Sequence, residues 1–217
     1  MRHSVLVLLL IFISQLGFGQ DKYQYEIDLN KLENDQLKVK LLTPKIQTDE
    51  VVFYLPKIVP GTYSIYDFGR FMSDFTAFDA QGNKLKTSNI DVNSIKIFNA
   101  SKLYSIEYKI DDSFDDTGDN FIFQPAGVNF DANKNYQINT FGLFGYLENK
   151  LSLPFELIIS HPQGFYGSTA MESFDLGEKS INMDGFRADN YYDFADLPIM
   201  YCKADTATLS IGGAEVL

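Results

Sequence analysis

Apolar and polar residues alternate with a period of two along most of this chain. Tyr23, Tyr25, Ile27 and Leu29 alternate with polar neighbours, the pattern of a strand with one face in a core and the other in water. After a turn at Glu33-Asn34-Asp35 the phase returns in Leu37, Val39 and Leu41. Val51 to Leu55 form a strand run stopped by Pro56, and Ile95 to Phe98 form another. Tyr104, Ile106, Tyr108 and Ile110 predict a strand with Ser105, Glu107 and Lys109 facing water; Phe155, Leu157 and Ile159 predict one ending at His161-Pro162. Asp79 to Asn83 reads as a hairpin connection, and Asp184-Gly185 as a turn between Ile181 and Phe186. Helical windows are short, at Asp67 to Phe75 and Tyr192 to Leu197. Many short strands without βαβ spacing predict an all-β, antiparallel, sandwich-like domain with short helical connectors.

The first residues follow a different logic. Arg2, the unbroken apolar run Val5 to Ile13 and the small residues of Gly17-Phe18-Gly19 have the order of a secretory signal. Nine apolar residues are too few for a bilayer core that needs about 20, so no stable membrane anchor is expected. The reading is a signal peptide over 1–19, cut after Gly19, and an exported chain that is periplasmic or secreted. At the other end, Thr208 to Ile211 reads as a strand, followed by Gly212-Gly213 and an apolar finish at Val216-Leu217. This suggests that 20–206 form the domain and 207–217 begin a downstream region.

Composition narrows the possible partners and chemistry. A net charge of −11, with no cluster of Lys or Arg, argues against nucleic acid and against anionic membrane surfaces. With 19 Phe, 13 Tyr and no Trp, the aromatic content favours strands. Cys202 is the single cysteine, so no intramolecular disulfide forms; it reads as a buried, inert thiol. A zinc-peptidase helix needs two His four apart, and after residue 19 the chain has His161 alone, which reads as a turn or surface residue. No Gly-x-Ser-x-Gly elbow or phosphate-binding loop is present. The acidic run Asp111, Asp112, Asp115, Asp116 and Asp119 fails the register of a calcium loop, because Gln124 falls where the bidentate Glu belongs. It reads as a solvated loop.

Two stretches are too particular to be generic strand and turn. In Leu55 to Arg70, Pro60-Gly61 suits the centre of a type II turn that would aim Tyr63 and Phe68 at one neighbourhood, with Arg70 free to pair with Asp67 or Asp74. In Phe186 to Ile199, aromatic and acidic residues alternate up to Pro198. Leu55, Pro56, Pro60, Gly61, Tyr63, Asp67, Phe68 and Arg70, then Tyr192, Asp193, Asp196 and Pro198, resemble two motifs of the N-terminal domain of the M61 glycyl-aminopeptidase family. Ile58 stands where that family has Trp, Phe194 and Ala195 depart from its usual residues, and His161 to Phe165 is similar to its Pro-x-Gly-Trp segment.

The resemblance covers essentially the whole chain after the signal. It implies an exported zinc peptidase that trims amino-terminal Gly or Ala, whose zinc, His-Glu-x-x-His helix and peptide substrate belong to a catalytic domain downstream. For this chain it implies no catalytic, metal or cofactor residue, only motif residues that contact the next domain, with an exposed apolar patch where their aromatic side chains gather. The alternative is a stand-alone exported module that binds peptide or carbohydrate through its aromatic loops.

Overall fold

The computed structural model describes residues 21–177, 180–205 and 207–216; the signal expected over 1–19 lies outside the described residues, as does Leu217. The strands in chain order are β1 (Tyr23–Asp28), β2 (Gln36–Leu42), β3 (Glu50–Tyr54), β4 (Met72–Asp79), β5 (Thr87–Asp91) and β6 (Ser94–Phe98). They continue with β7 (Leu103–Asp111), β8 (Asn129–Asp131), β9 (Asn135–Ile138), β10 (Tyr146–Leu147), β11 (Phe155–Ser160) and β12 (Tyr166–Ser168). The last are β13 (Glu172–Phe174), β14 (Met183–Ala188), β15 (Ile199–Cys202), β16 (Leu209–Ile211) and β17 (Ala214–Val216). Two short helices, α1 (Thr140–Leu143) and α2 (Tyr191–Ala195), connect them. A seven-stranded sheet runs β13-β14-β11-β1-β2-β7-β4, beside four-stranded sheets β10-β3-β6-β5 and β12-β15-β9-β8 and the hairpin β16-β17. The fold is all-β and sandwich-like, as the alternation predicts.

The period-two residues meet in one core. Tyr23, Tyr25 and Ile27 of β1, Leu37, Val39 and Leu41 of β2, and Phe155, Leu157 and Ile159 of β11 are all buried in it, with Phe53 and Ile97 from the second sheet and Ile138 and Tyr201 from the third. The opposite face of the large sheet carries ion pairs, Lys40–Glu26 at 2.8 Å, Lys38–Glu107 at 2.7 Å and Lys109–Asp74 at 3.0 Å. Such exposed pairs contribute about 0–1 kcal/mol each, whereas one buried Leu or Phe contributes about 1.5–3 kcal/mol, so stability resides in the inner face.

Local departures from the sequence reading have physical causes. The sheet is not wholly antiparallel, because β1 and β11 pair in parallel from Tyr23↔Phe155 to Asp28↔Ser160. Tyr104 is 51% exposed and Ser105 buried, the reverse of the alternation. The β4–β7 register shifts between Phe78 and Asp79, and this bulge turns the first residues of β7 over. Asp184-Gly185 is no turn but the middle of β14, and the turn before it contains Asn182 at φ 59°. Gly185 serves close approach instead: a Cβ there would lie 2.9 Å from the Phe174 ring. The window Asp67 to Phe75 is a single 3-10 turn at Phe68–Phe71 that runs straight into β4. Cys202 is half-buried at the end of β15 rather than enclosed. His161 is buried, with Tyr201 against its ring and Asp184 3.5 Å from Nε2, so the surface reading is wrong.

Four tyrosines hold one irregular segment in place. The Tyr108, Tyr191 and Tyr25 hydroxyls donate to the carbonyls of Leu143 (2.8 Å), Phe144 (3.1 Å) and Gly145 (2.8 Å), and the Leu147 N–H donates to the Tyr23 hydroxyl (2.9 Å). Replacing Tyr25 with Phe strands the Gly145 carbonyl in the core. Tyr25→Phe is expected to cost about 1–3 kcal/mol in urea unfolding, while Tyr104→Phe, at an exposed ring, leaves the midpoint in place. Burial raises the pKa of Tyr23, Tyr25, Tyr108 and Tyr191. An acid whose pKa is raised by folding ionises first in the unfolded chain. Stability is therefore expected to fall as pH rises above about 10. Absorbance at the phenolate band should show these tyrosines ionising together with loss of structure, not before it.

Candidate functional site

The first motif begins where β3 ends. Leu55 leaves the sheet with its N–H on the Asn93 carbonyl (2.9 Å), and the chain returns to its own base through the Tyr66 and Asp67 N–H groups on the Lys57 carbonyl (2.7 and 3.0 Å). Inside this loop Val59 to Thr62 form the expected turn, with Gly61 at φ 88° and the Thr62 N–H on the Val59 carbonyl (3.2 Å). Tyr63 follows at φ 56° and is 101% exposed, whereas Phe68 is buried, so the turn sends them apart rather than together. Ile58 and Ile65 are exposed on the same loop.

The polar residues of this motif act as fasteners. Asn93 is buried; its amide donates to Asp67 (2.7 Å) and its carbonyl oxygen accepts the Gly69 N–H (3.0 Å). Position 69 needs glycine because a Cβ would lie 2.0 Å from the Val92 carbonyl. Arg70 pairs with neither Asp67 nor Asp74. Its guanidinium reaches Asp116 at 2.5 Å and the Asn120 carbonyl, its Nε donates to the Tyr66 carbonyl (3.0 Å), and it lies 4.4 Å over the Phe71 ring. The acidic run is therefore partly structural. The Gly118 N–H, and after it the Arg70 guanidinium, hold the Asp116 carboxyl below its ordinary range. Burial pushes Asp112 up, against the N–H bonds it accepts from Phe130 (2.6 Å) and Phe114 (2.7 Å).

The second motif forms α2. Asn190 caps it by accepting the Asp193 N–H (3.0 Å) and donating to the Asp193 carboxylate (2.6 Å). Tyr191, Phe194 and Ala195 face the core, leaving Tyr192 68% exposed with Asp193 and Asp196 beside it on the surface.

The two motifs meet in a groove of about 940 Å³. Pro56, Lys57, Ile58 and Pro60 form one wall, and Tyr192, Asp193, Asp196 and Leu197 the other. Tyr54, Tyr146 and Tyr191 lie between them, with ring centroids 5.5 Å apart for Tyr54–Tyr146 and 4.6 Å for Tyr146–Tyr191. Burial raises the pKa of all three. Of the motif residues singled out in the sequence, Leu55, Pro56, Pro60, Tyr192, Asp193 and Asp196 line this groove. Gly61 and Tyr63 lie on the projecting loop, Asp67, Phe68 and Arg70 in the frame, and Pro198 borders a separate hollow beside Gln124 and Met200. Of the aromatic side chains, Tyr63 and Tyr192 are exposed and Phe68 and Phe194 buried, so the expected patch is only partly aromatic. Sequence reading missed Tyr54 and Tyr146, which the β3–β10 register makes partners. The signal available for Tyr146 was Gly145, set between aromatic residues where a Cβ would lie 2.3 Å from the Tyr54 carbonyl.

Residues 24–203 match the family described as Peptidase M61 N-terminal domain. The chain belongs to that family. An aminopeptidase N family protein from Idiomarina loihiensis has the same fold, with a TM-score of 0.72 and 21% identity over 89% of this chain and 31% of its own. This M61 N-terminal domain thus spans about a third of that relative's length. An M1 zinc metallopeptidase from Deinococcus radiodurans, solved with a Tyr-Ser-Ala substrate, is 12% identical over 93% of this chain and 47% of its own, with a TM-score of 0.46. No curated protein matches.

Among the described residues no three His, Cys, Asp or Glu side chains converge, and the carboxylate beside His161 is that of Asp184. No helix among them is long and apolar enough to cross a membrane.

Arg70 is the fastener with most to lose. Arg70→Ala is expected to lower stability by about 1–3 kcal/mol and to open the loop around Asp116 to limited proteolysis. Because folding lowers the Asp116 pKa, the stability it adds is present above about pH 4 and lost as pH falls through the lowered value. The gap between Arg70→Ala and the parent chain should therefore narrow in acid.

Proposed function

We propose that this chain is the non-catalytic N-terminal domain of a longer, exported zinc aminopeptidase, and that it supports and docks the catalytic domain. On this reading 1–19 is the signal peptide, 20–206 the domain and 207–217 the approach to the catalytic region, which supplies the zinc and takes the peptide substrate. The observation that carries it is how the family motifs are used. Asp67 and Arg70 fasten loops inside the domain, while Ile58, Tyr63, Ile65 and Tyr192 stay exposed, as residues that cover another surface do. The family match over 24–203 supports the parentage, and the apolar run Val5 to Ile13 supports export.

One feature favours a second reading. Tyr192 at the rim of a tyrosine-floored groove is also a stacking platform for a peptide or sugar bound by a free-standing module.

The intact mass of the protein from its native host separates the two. A mass several tens of kilodaltons above that of this chain, lacking the signal peptide, is expected, with hydrolysis of Gly- or Ala-initiated peptides that a chelator abolishes. A mature protein comprising only residues 20–217 that binds glycan or peptide saturably would refute the parentage.

A further inference from the structure

We propose that the groove between Leu55–Pro60 and Tyr191–Leu197 seats a segment of the downstream catalytic domain that carries an apolar side chain next to a lysine or arginine. The inference rests on the reading above that such a domain follows, and adds where and by what chemistry it docks.

The floor calls for apolar matter. Tyr146 packs against both Tyr54 and Tyr191, and Pro56, Pro60 and Leu197 extend the surface within about 940 Å³, room for several side chains. The walls are fixed before anything binds: the Tyr191 hydroxyl is held by the Phe144 carbonyl, and α2 is capped by Asn190. A preformed groove spares its occupant the entropy of ordering it.

The occupant binds through side chains, not as an added strand. Of the two strands whose residues line the groove, β10 pairs with β3 on one side, and its Leu147 N–H is already taken by the Tyr23 hydroxyl. That leaves no free N–H at this residue to start a ladder.

Charge selects the rest. Asp193 and Asp196 line one wall, and Lys57, the one basic lining residue among those described, is engaged by Asp91 at 3.3 Å. After burial, Glu148 and Asp91 raise the Tyr54 pKa further, so the negative field reaches the floor. A cation here meets carboxylates and the faces of tyrosine rings together. A tethered segment also arrives at an effective concentration in the millimolar range, so modest contacts keep it seated against free peptides.

The test uses the full-length protein with a photo-crosslinking residue, Tyr192→benzoylphenylalanine, and the same label at Tyr104 as a site away from the groove. The expected product is an internal crosslink from position 192 to one segment beyond residue 217 that bears Lys or Arg. Asp196→Lys should lower its yield several-fold, more at low salt than at high. A crosslink to added Gly-Ala peptide, a crosslink to a neutral or acidic segment, or a yield no higher than at position 104 overturns the inference and leaves the parentage standing. A native protein with no catalytic domain overturns both.

Discussion

Four tyrosine hydroxyls bonded to the backbone of Leu143–Leu147 are the constraint on which the rest of the structure depends. That segment leaves α1, passes through the core and enters β10, so most of its N–H and C=O groups have no ladder partner nearby. A buried backbone group without a partner costs as much as a lost hydrogen bond. Tyrosine solves this with one side chain, since its ring satisfies the core and its hydroxyl the backbone. Tyr23 and Tyr25 come from β1, Tyr108 from β7 and Tyr191 from α2, so one bonded run ties the large sheet to the second sheet and to the second motif.

The groove inherits its shape from that arrangement. Tyr191 is at once a clamp on Phe144 and part of the groove floor, and Tyr146 lies within the clamped run, in register with Tyr54. On the other wall, Asn93 ties Leu55, Asp67 and Gly69 together, so the projecting loop starts and ends at one buried point. Most charged side chains of the two motifs are spent inside the domain. Those that remain at the groove are acidic, apart from the engaged Lys57.

Much of the fold was legible in the sequence because a half-buried strand has to alternate. Tyr23 to Leu29, Leu37 to Leu41 and Phe155 to Ile159 kept their phase. Tyr104 did not, because a bulge depends on the partner strand, and nothing in the local pattern of β7 reports the shift opposite Asp79. The parallel pairing of β1 with β11 escaped for a like reason: alternation fixes which face is buried but not which neighbour a strand takes. Gly185 was misread because glycine serves both turns and close approach, and only the Phe174 ring, brought in by β13, decides between them. In the groove, Leu55, Pro56, Pro60, Tyr192, Asp193 and Asp196 were visible as motif residues, whereas Tyr54 and Tyr146 gained their place from long-range pairing.

The same distinction bears on what the motifs are for. A motif that recurs for chemistry places its titratable groups near a common point, where their pKa values perturb one another. Here Asp67 and Arg70 diverge, one to Asn93 and the other to Asp116, and each ends in a closed local network. Such networks fix loop shape, and the shape they fix presents Ile58 and Pro60 across a tyrosine floor from Tyr192 and Asp196. The fastened residues of the two stretches and the residues left open at the surface are thus adjacent parts of one device, in which buried polar bonds set the position of exposed apolar groups.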